Sequence, residues 1–196
     1  MNIGSSSFQN KLGIIAATAI SSLFITTAFA GPNQLDILGL VPGISELSHV
    51  KQVGFYQKNS YSDVGAIRLE IGGHKMTCPL KFLNGKLASL TCLTGKGKEI
   101  YEQYTAASNT EVHSTLTSGF MKKFGKPDSV IRNPVRTRVG VEHEQQLVTW
   151  KDKRGNTLQL LSIVDTVNMG MISLNSAEHL KQEAEKKAAE EARKKF

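Results

Sequence analysis

The residues with the most chemical potential in this chain are two cysteines, five histidines and one short acidic cluster. Cys78 and Cys92 are the only thiols, and both lie in the stretch "HKMTCPLKFLNGKLASLTC". Thirteen residues stand between them, too many for a Cys-x-x-Cys redox pair. A structural zinc would need two further ligands, and only His74 is close by. One disulfide is therefore the expected use of the pair. His49, His74, His113, His143 and His179 are scattered one to a segment. Glu142-His143-Glu144 is the densest acid–base cluster, and on a strand its two carboxylates share one face opposite the imidazole. That pattern suits a solvated edge. The chain carries no His-Glu-x-x-His helix, no Gly-x-Ser-x-Gly elbow and no glycine fingerprint for dinucleotides. Gly95-Lys96-Gly97-Lys98 is too brief a loop to cradle a phosphate. No catalytic residue, metal or cofactor is expected, and the residues point to a protein that acts by binding.

A disulfide persists only in an oxidising compartment, and the first 30 residues supply a route to one. Lys11 gives the positive start of a secretory signal peptide, "LGIIAATAISSLFITTAFA" its apolar core, and Ala28-Phe29-Ala30 a small-x-small cleavage site. The rival is an uncleaved anchor, since the run is about long enough to span a bilayer. Its Ser, Thr, Gly and Ala content weakens that reading. The expected address is the periplasm or the outside. Cleavage leaves 166 residues, one domain or two small lobes sharing a core. They keep 23 of 24 basic residues and all 17 acidic ones, a net of +6. Nine basic and four acidic residues between Lys122 and Arg154 supply +5 of that excess, enough to steer an acidic partner if they share one surface.

The elements that must position these groups read as α+β: helices packed on antiparallel meanders, in two tandem units, with a charged C-terminal helix. The first unit is expected over 31–106. "VPGISELSHVKQVG" predicts a short helix capped by Ser45 and stopped by Gly54; "FYQKNSYSDVG" reads as irregular. "AIRLEI", with Ile67, Leu69 and Ile71 alternating, predicts a strand with one face buried. The two strands of the cysteine hairpin follow, joined at Asn84-Gly85. Register decides the disulfide. A two-residue turn sets Cys78 against Thr91, with Cys92 on the other face. A three-residue loop over 83–85 makes the cysteines diagonal, and one over 84–86 makes them directly opposed. A bulge at Pro79 could also shift the parity.

The second unit is expected over 107–175. "GKEIYEQYTAA" predicts a short helix just ahead of it. The clearest helix follows, with Ser108 and Glu111 at capping-box spacing and Val112, Leu116, Phe120 and Phe124 every fourth residue. Gly125 and Pro127 close it. Gly119 inside it is expected to serve close packing on the sheet. "TRVGVEH", "QQLVTWKD", "NTLQLLSIV" and "GMISL" are the strand candidates. The tail, 176–196, has too few large apolar residues to bury a stripe, so it should be a helix held by pairs such as Glu183 with Lys187, or a solubilising end, projecting into solvent.

In rhythm the chain resembles two kinds of small exported module. The carrying features are Gly-x-Ser before a short helix, a meander, then "FMKKFGKPDSV" and "VTWKDKRGNTLQL". The modules are the small lipoprotein of the outer-membrane barrel-assembly machine and the beta-lactamase inhibitor protein. The likeness covers most of 39–174, although the chain lacks the lipoprotein's lipid-acceptor cysteine. It implies helices on an antiparallel sheet and binding through a sheet face, and it carries over no functional residue. Two functions follow. In the first, a sheet face docks an envelope or extracellular protein, as an inhibitor or an assembly accessory, with Trp150, Tyr61 or Phe55 as anchors. In the second, Arg132, Arg136, Arg138, Lys151, Lys153 and Arg154 bind an anionic surface such as lipopolysaccharide, acidic glycan or nucleic acid. Aromatic and Arg anchoring favours the first, with Trp150, Arg136, Arg138, Lys151, Lys153 and Arg154 as the candidate contact residues. Amino-terminal sequencing of the native protein should begin at Gly31; a native chain that still starts at Met1 in the cytosolic fraction overturns the export reading.

Overall fold

A computed structural model describes residues 32–58, 64–95, 109–136, 140–164 and 167–194. The expected leader, the "GKEIYEQYTAA" helix and the Ser108 cap lie outside them. The chain is α+β: three helices accompany one eight-stranded, wholly antiparallel sheet. The first meander is β1 (Phe55–Lys58), β2 (Gly65–Ile71), β3 (His74–Leu83) and β4 (Lys86–Gly95). The second is β5 (Ser129–Arg136), β6 (Glu142–Lys151), β7 (Thr157–Leu161) and β8 (Met169–Asn175). The order β1-β2-β3-β4-β8-β7-β6-β5 joins the two meanders along β4 and β8. Seven pairs from Ser89↔Asn175 to Gly95↔Met169 make that seam.

Alternation along each strand sends one set of side chains into a shared core. Ile67, Leu69 and Ile71, then Met76, Cys78 and Leu80, are buried from the first meander. Val148, Trp150, Leu158, Leu160, Ile172 and Leu174 join them from the second, in one cluster. Helix α2 (Asn109–Phe124) covers this face with Val112, Leu116 and Phe120 and packs on β4, β7 and β8. Helix α1 (Leu47–Val53) adds only Val50.

The cysteines are bonded, with sulfurs 2.03 Å apart, and the route to that register combines two of the expected devices. Asn84-Gly85 makes a two-residue turn with both φ positive, at 51° and 76°, the I′ geometry that asparagine and glycine permit. Alone, that turn would oppose Cys78 to Thr91. The register then shifts: Phe82 faces Leu87, but Lys81 faces Ser89. Ala88 is the extra residue of a bulge, so Leu80 meets Leu90 and Cys78 falls opposite Cys92. The bulge lies on β4, not at Pro79. Its loose backbone is used, because the Ala88 carbonyl accepts the Ser176 N–H at 2.8 Å.

Several local expectations change. Ser45 does not cap α1; its Oγ accepts the Val41 N–H at 2.9 Å. Glu46 is the N-cap, in a reciprocal arrangement with His49. Gly54 ends the helix, yet its φ of −168° is ordinary extended backbone. Its need for glycine is space, since a Cβ there would stand 2.4 Å from the Arg68 carbonyl oxygen. Two strands appear where none was expected, β1 within "FYQK" and β5 over Ser129–Arg136. They are the sheet's two edges, and β5 is exposed along nearly its whole length. A strand open on both faces carries no period-two signal. The strand expected at 137–143 resolves into the start of β6, while 137–139 lie outside the described residues.

The turn between β6 and β7 is a polar knot. The buried Asp152 carboxylate accepts the backbone N–H groups of Leu35, Arg154 and Asn156 and the Asn156 amide, at 2.9–3.2 Å. Asn156 in turn accepts the Ala177 N–H at 3.1 Å. One buried carboxylate thus fastens the leading segment to the turn, and through Asn156 to the start of helix α3 (Ala177–Arg193). That helix has no buried residue. Its Glu183 approaches Lys186 at 3.6 Å and Lys81 at 3.8 Å rather than Lys187.

Gly119 is not a close-packing residue: a Cβ there meets nothing within 4 Å. Gly119→Ala should raise stability by about 1 kcal/mol, the helix-propensity gain, read as a higher urea midpoint at unchanged slope. A loss would mean that the position is sterically closed.

Candidate docking face

Helices α1 and α2 lie on the core side, and α3 packs against β4, with its Glu183 3.8 Å from Lys81 of β3. The opposite face is open among the described residues. Residues paired across an antiparallel sheet share a face, so the registers trace one row over all eight strands. It runs Phe55, Arg68, Thr77, Leu93, Met171, Leu161, Leu147, Ile131. Thr77 falls opposite Leu93 by continuing the Leu80↔Leu90 register. The row spans about 34 Å, seven gaps of about 4.8 Å.

Six of its eight members are large and apolar. Leu93, Met171, Leu161 and Leu147 are half-buried by their neighbours. At the two ends Ile131 is 47% and Phe55 67% exposed. The Arg68 guanidinium sits 5.9 Å from the centre of the Phe55 ring, a cation–π contact that leaves a planar donor beside an apolar disc. A parallel row of short polar groups, Thr91, Ser173, Gln159 and Thr149, flanks the stripe. Apolar residues in a line with a hydroxyl and amide margin are the composition of an interface core and its rim.

The residues expected to contact a partner are placed very differently. Trp150 is fully buried: its indole N–H donates to the Gly125 carbonyl at 3.0 Å, and Phe120 stands edge-on at 6.1 Å. It anchors the turn after α2 and offers no surface for docking. Tyr61 and Arg138 lie outside the described residues. Phe55 is at the end of the stripe. Lys151 shares its face, beside the polar row, while Lys153 and Arg154 sit in the following turn.

Arg132 and Arg136 are at the other end of β5 and β6, opposite Gln146 and Glu142, and reach carboxylates of Glu144 and Glu142. Nine residues of β6 separate Glu142 from Lys151, about 30 Å. The basic segment is therefore divided between two ends of the sheet, and Arg132 and Arg136 are paired with acids. The sequence missed the stripe because its members come from eight separate strands, two of which carried no strand signal.

Helix α2 carries a buried histidine on the core side. His113 of α2 is 9% exposed, and its ring donates to the Leu160 carbonyl while Nε2 has no partner. Burial pushes its pKa below the ordinary histidine value, partly offset by that carbonyl. No group of three His, Cys, Asp or Glu side chains among the described residues could hold a metal ion. No described helix is long and apolar enough to cross a membrane. The fold and the site define an α+β protein whose sheet, among the described residues, carries α1 and α2 on one face and the apolar row on the other. Comparisons with protein-family models, curated proteins and solved structures find no match.

His113 yields a pH prediction. Above about pH 6.5 the ring is neutral in both states. As pH falls below that value the unfolded chain takes up a proton that the folded chain resists, so stability falls with acid. Urea melts between pH 7.5 and pH 5 should show a shallower decline for His113→Gln than for the wild type; equal slopes would remove His113 as the cause.

Proposed function

We propose that this chain is an exported, non-enzymatic binding protein that docks a protein partner through the open face of its sheet, in the periplasm or outside the cell. The observation that carries the reading is the eight-strand row, with an Arg–aromatic pair at one end. Burial of four half-covered and two exposed apolar side chains would supply the binding energy. Thr91 and Gln159 of the flanking row would supply hydrogen bonds at the margin, whereas Thr149 and Ser173 are buried. Aromatic and Arg residues dominate such contacts, which gives Phe55 and Arg68 the anchoring role that Trp150 does not take. The absence of a recognisable catalytic motif in the sequence agrees with binding rather than turnover. The anionic-surface alternative gains nothing from the split basic residues.

The test compares captures from an envelope extract. A partner held by the wild-type protein at moderate salt should be lost with Leu161→Glu. Both residues are on the open face, so Phe55→Ala should weaken capture by about tenfold or more, with unchanged thermal melts for both variants. Retention of the same partner by Leu161→Glu, or a capture that disappears with salt alone, overturns the reading.

A further inference from the structure

Strand β5 closes one end of the sheet, and on its outer side no strand pairs with it among the described residues. The direction of its backbone groups follows from β6. The Thr149 carbonyl accepts the Asp128 N–H at 2.9 Å, and the Lys151 N–H donates to the Asp128 carboxylate at 2.6 Å. Odd-numbered residues of β6 therefore turn their backbone groups towards β5. Gln146 turns the other way: its carbonyl accepts the Ser162 N–H at 2.9 Å, and its N–H donates to the Ser162 hydroxyl. Arg132 lies opposite Gln146, and opposed residues alternate between exchanging both bonds and exchanging none. The N–H and C=O of Arg132 thus point away from the sheet, and so do those of Val130, two residues earlier. Pro134 has the same parity. The donor that proline lacks falls on the outer side, where the ladder to β6 does not miss it.

An open edge invites pairing with another chain, and the side chains of this one select a second copy of itself. Val130 and Ile131 are each 47% exposed, and Ile131 ends the apolar row of the open face. A twofold axis through Ile131 sets two copies of β5 antiparallel. On the open face Ile131 then meets Ile131 of the second copy, and Ser129 meets Asn133. Val130 meets Arg132 of the second copy, a pair with outward donors and acceptors on both sides, repeated by symmetry. Pro134 falls opposite Asp128, whose N–H is already given to Thr149, so the ladder ends where neither residue has a donor to offer. Neighbouring registers fit less well. Centring on Arg132 opposes two guanidinium groups and sets Pro134 against Val130; centring on Val130 sets the Arg132 carbonyl against the committed Asp128 N–H.

We propose that β5 is a self-association edge, through which two copies of this chain join into one continuous sheet about a twofold axis at Ile131. The two apolar rows meet end to end as a single band. The pairing is closed, whereas β5 against the edge strand β1 would propagate into open chains. It is also short, so the association is reversible rather than permanent.

The test uses the whole mature protein without any other partner, so its failure leaves the docking reading standing. Ile131→Cys places two thiols in a pair without backbone bonds, with Cα atoms about 4.5 Å apart, within disulfide reach. Mild oxidation should give a covalent dimer on a non-reducing gel that reductant abolishes. Val130→Cys, equally exposed on the same strand, should cross-link several-fold more slowly, because its twin is two residues out of step. In sedimentation equilibrium the wild type should pass from monomer to dimer as concentration rises. Val130→Pro removes a donor on the outer side only and should weaken that dimer by about tenfold, two backbone bonds being lost, at an unchanged thermal melt. Cross-linking as fast at 130 as at 131, species larger than a dimer, an association untouched by Val130→Pro, or a chain still monomeric at about 1 mM would each overturn the proposal.

Discussion

The pairing of β4 with β8 is the constraint on which the rest of the molecule depends. Each meander alone would expose an edge of unpaired backbone groups and a half-formed apolar face. Joined along seven residue pairs, they share one core, and α2 bridges the seam by resting on β4, β7 and β8. Everything functional inherits its alignment from that seam. It sets Leu93 against Met171 and so makes two short apolar groups continuous on the open face. On the buried face it sets Cys92 against Ile172. Polar locks secure the ends of the seam. Ser89 donates to Asn175 at 2.8 Å, and beyond them Asp152 and Asn156 hold the leading segment and the start of α3.

Much of this architecture was legible in the residues. The alternation of Ile67, Leu69 and Ile71, the four-residue spacing from Val112 to Phe124, and Gly125 as a stop are local signals with direct physical causes. The α+β class and the antiparallel hairpin follow from them, and the cysteine pair closes as expected. What the residues did not reveal is governed by neighbours distant in sequence. Edge strand β5 lacks a buried period because it is exposed along nearly its whole length, and β1 is too short to show one, with Tyr56 alone packed on the core. The bulge at Ala88 depends on carbonyl partners supplied by Ser176 and by the 43–45 segment, so no local pattern announces it. Asp152 reads as one more charge in a basic run until the fold brings Leu35 to it.

The candidate surfaces show the same division. A lone tryptophan is a natural choice for an anchor, but indole has one donor and much apolar area, and the fold uses both inside. Phe55 was legible as a candidate anchor, but not its partner Arg68, thirteen residues further on and one strand across. The basic segment looked coherent in sequence, yet the length of β6 separates its two ends by about 30 Å. Linear clustering of charge predicts a field only when the fold gathers the charges, and here the β5–β6 hairpin places Arg132 and Arg136 towards one end and Lys151 at the other. His113 gave no sign at all, since its burial and its bond to the Leu160 carbonyl come from a strand more than forty residues further on.

The burial of the sulfur pair has a consequence for maturation. Cys78 and Cys92 are both wholly shielded from solvent, in the same cluster as Val112 and Leu116 of α2. An oxidant or reductant reaches the sulfurs only when that cover opens. Making or breaking the link is therefore tied to the undocking of α2 from the β3–β4 hairpin, and the lifetime of the bond is set by how often the core opens there.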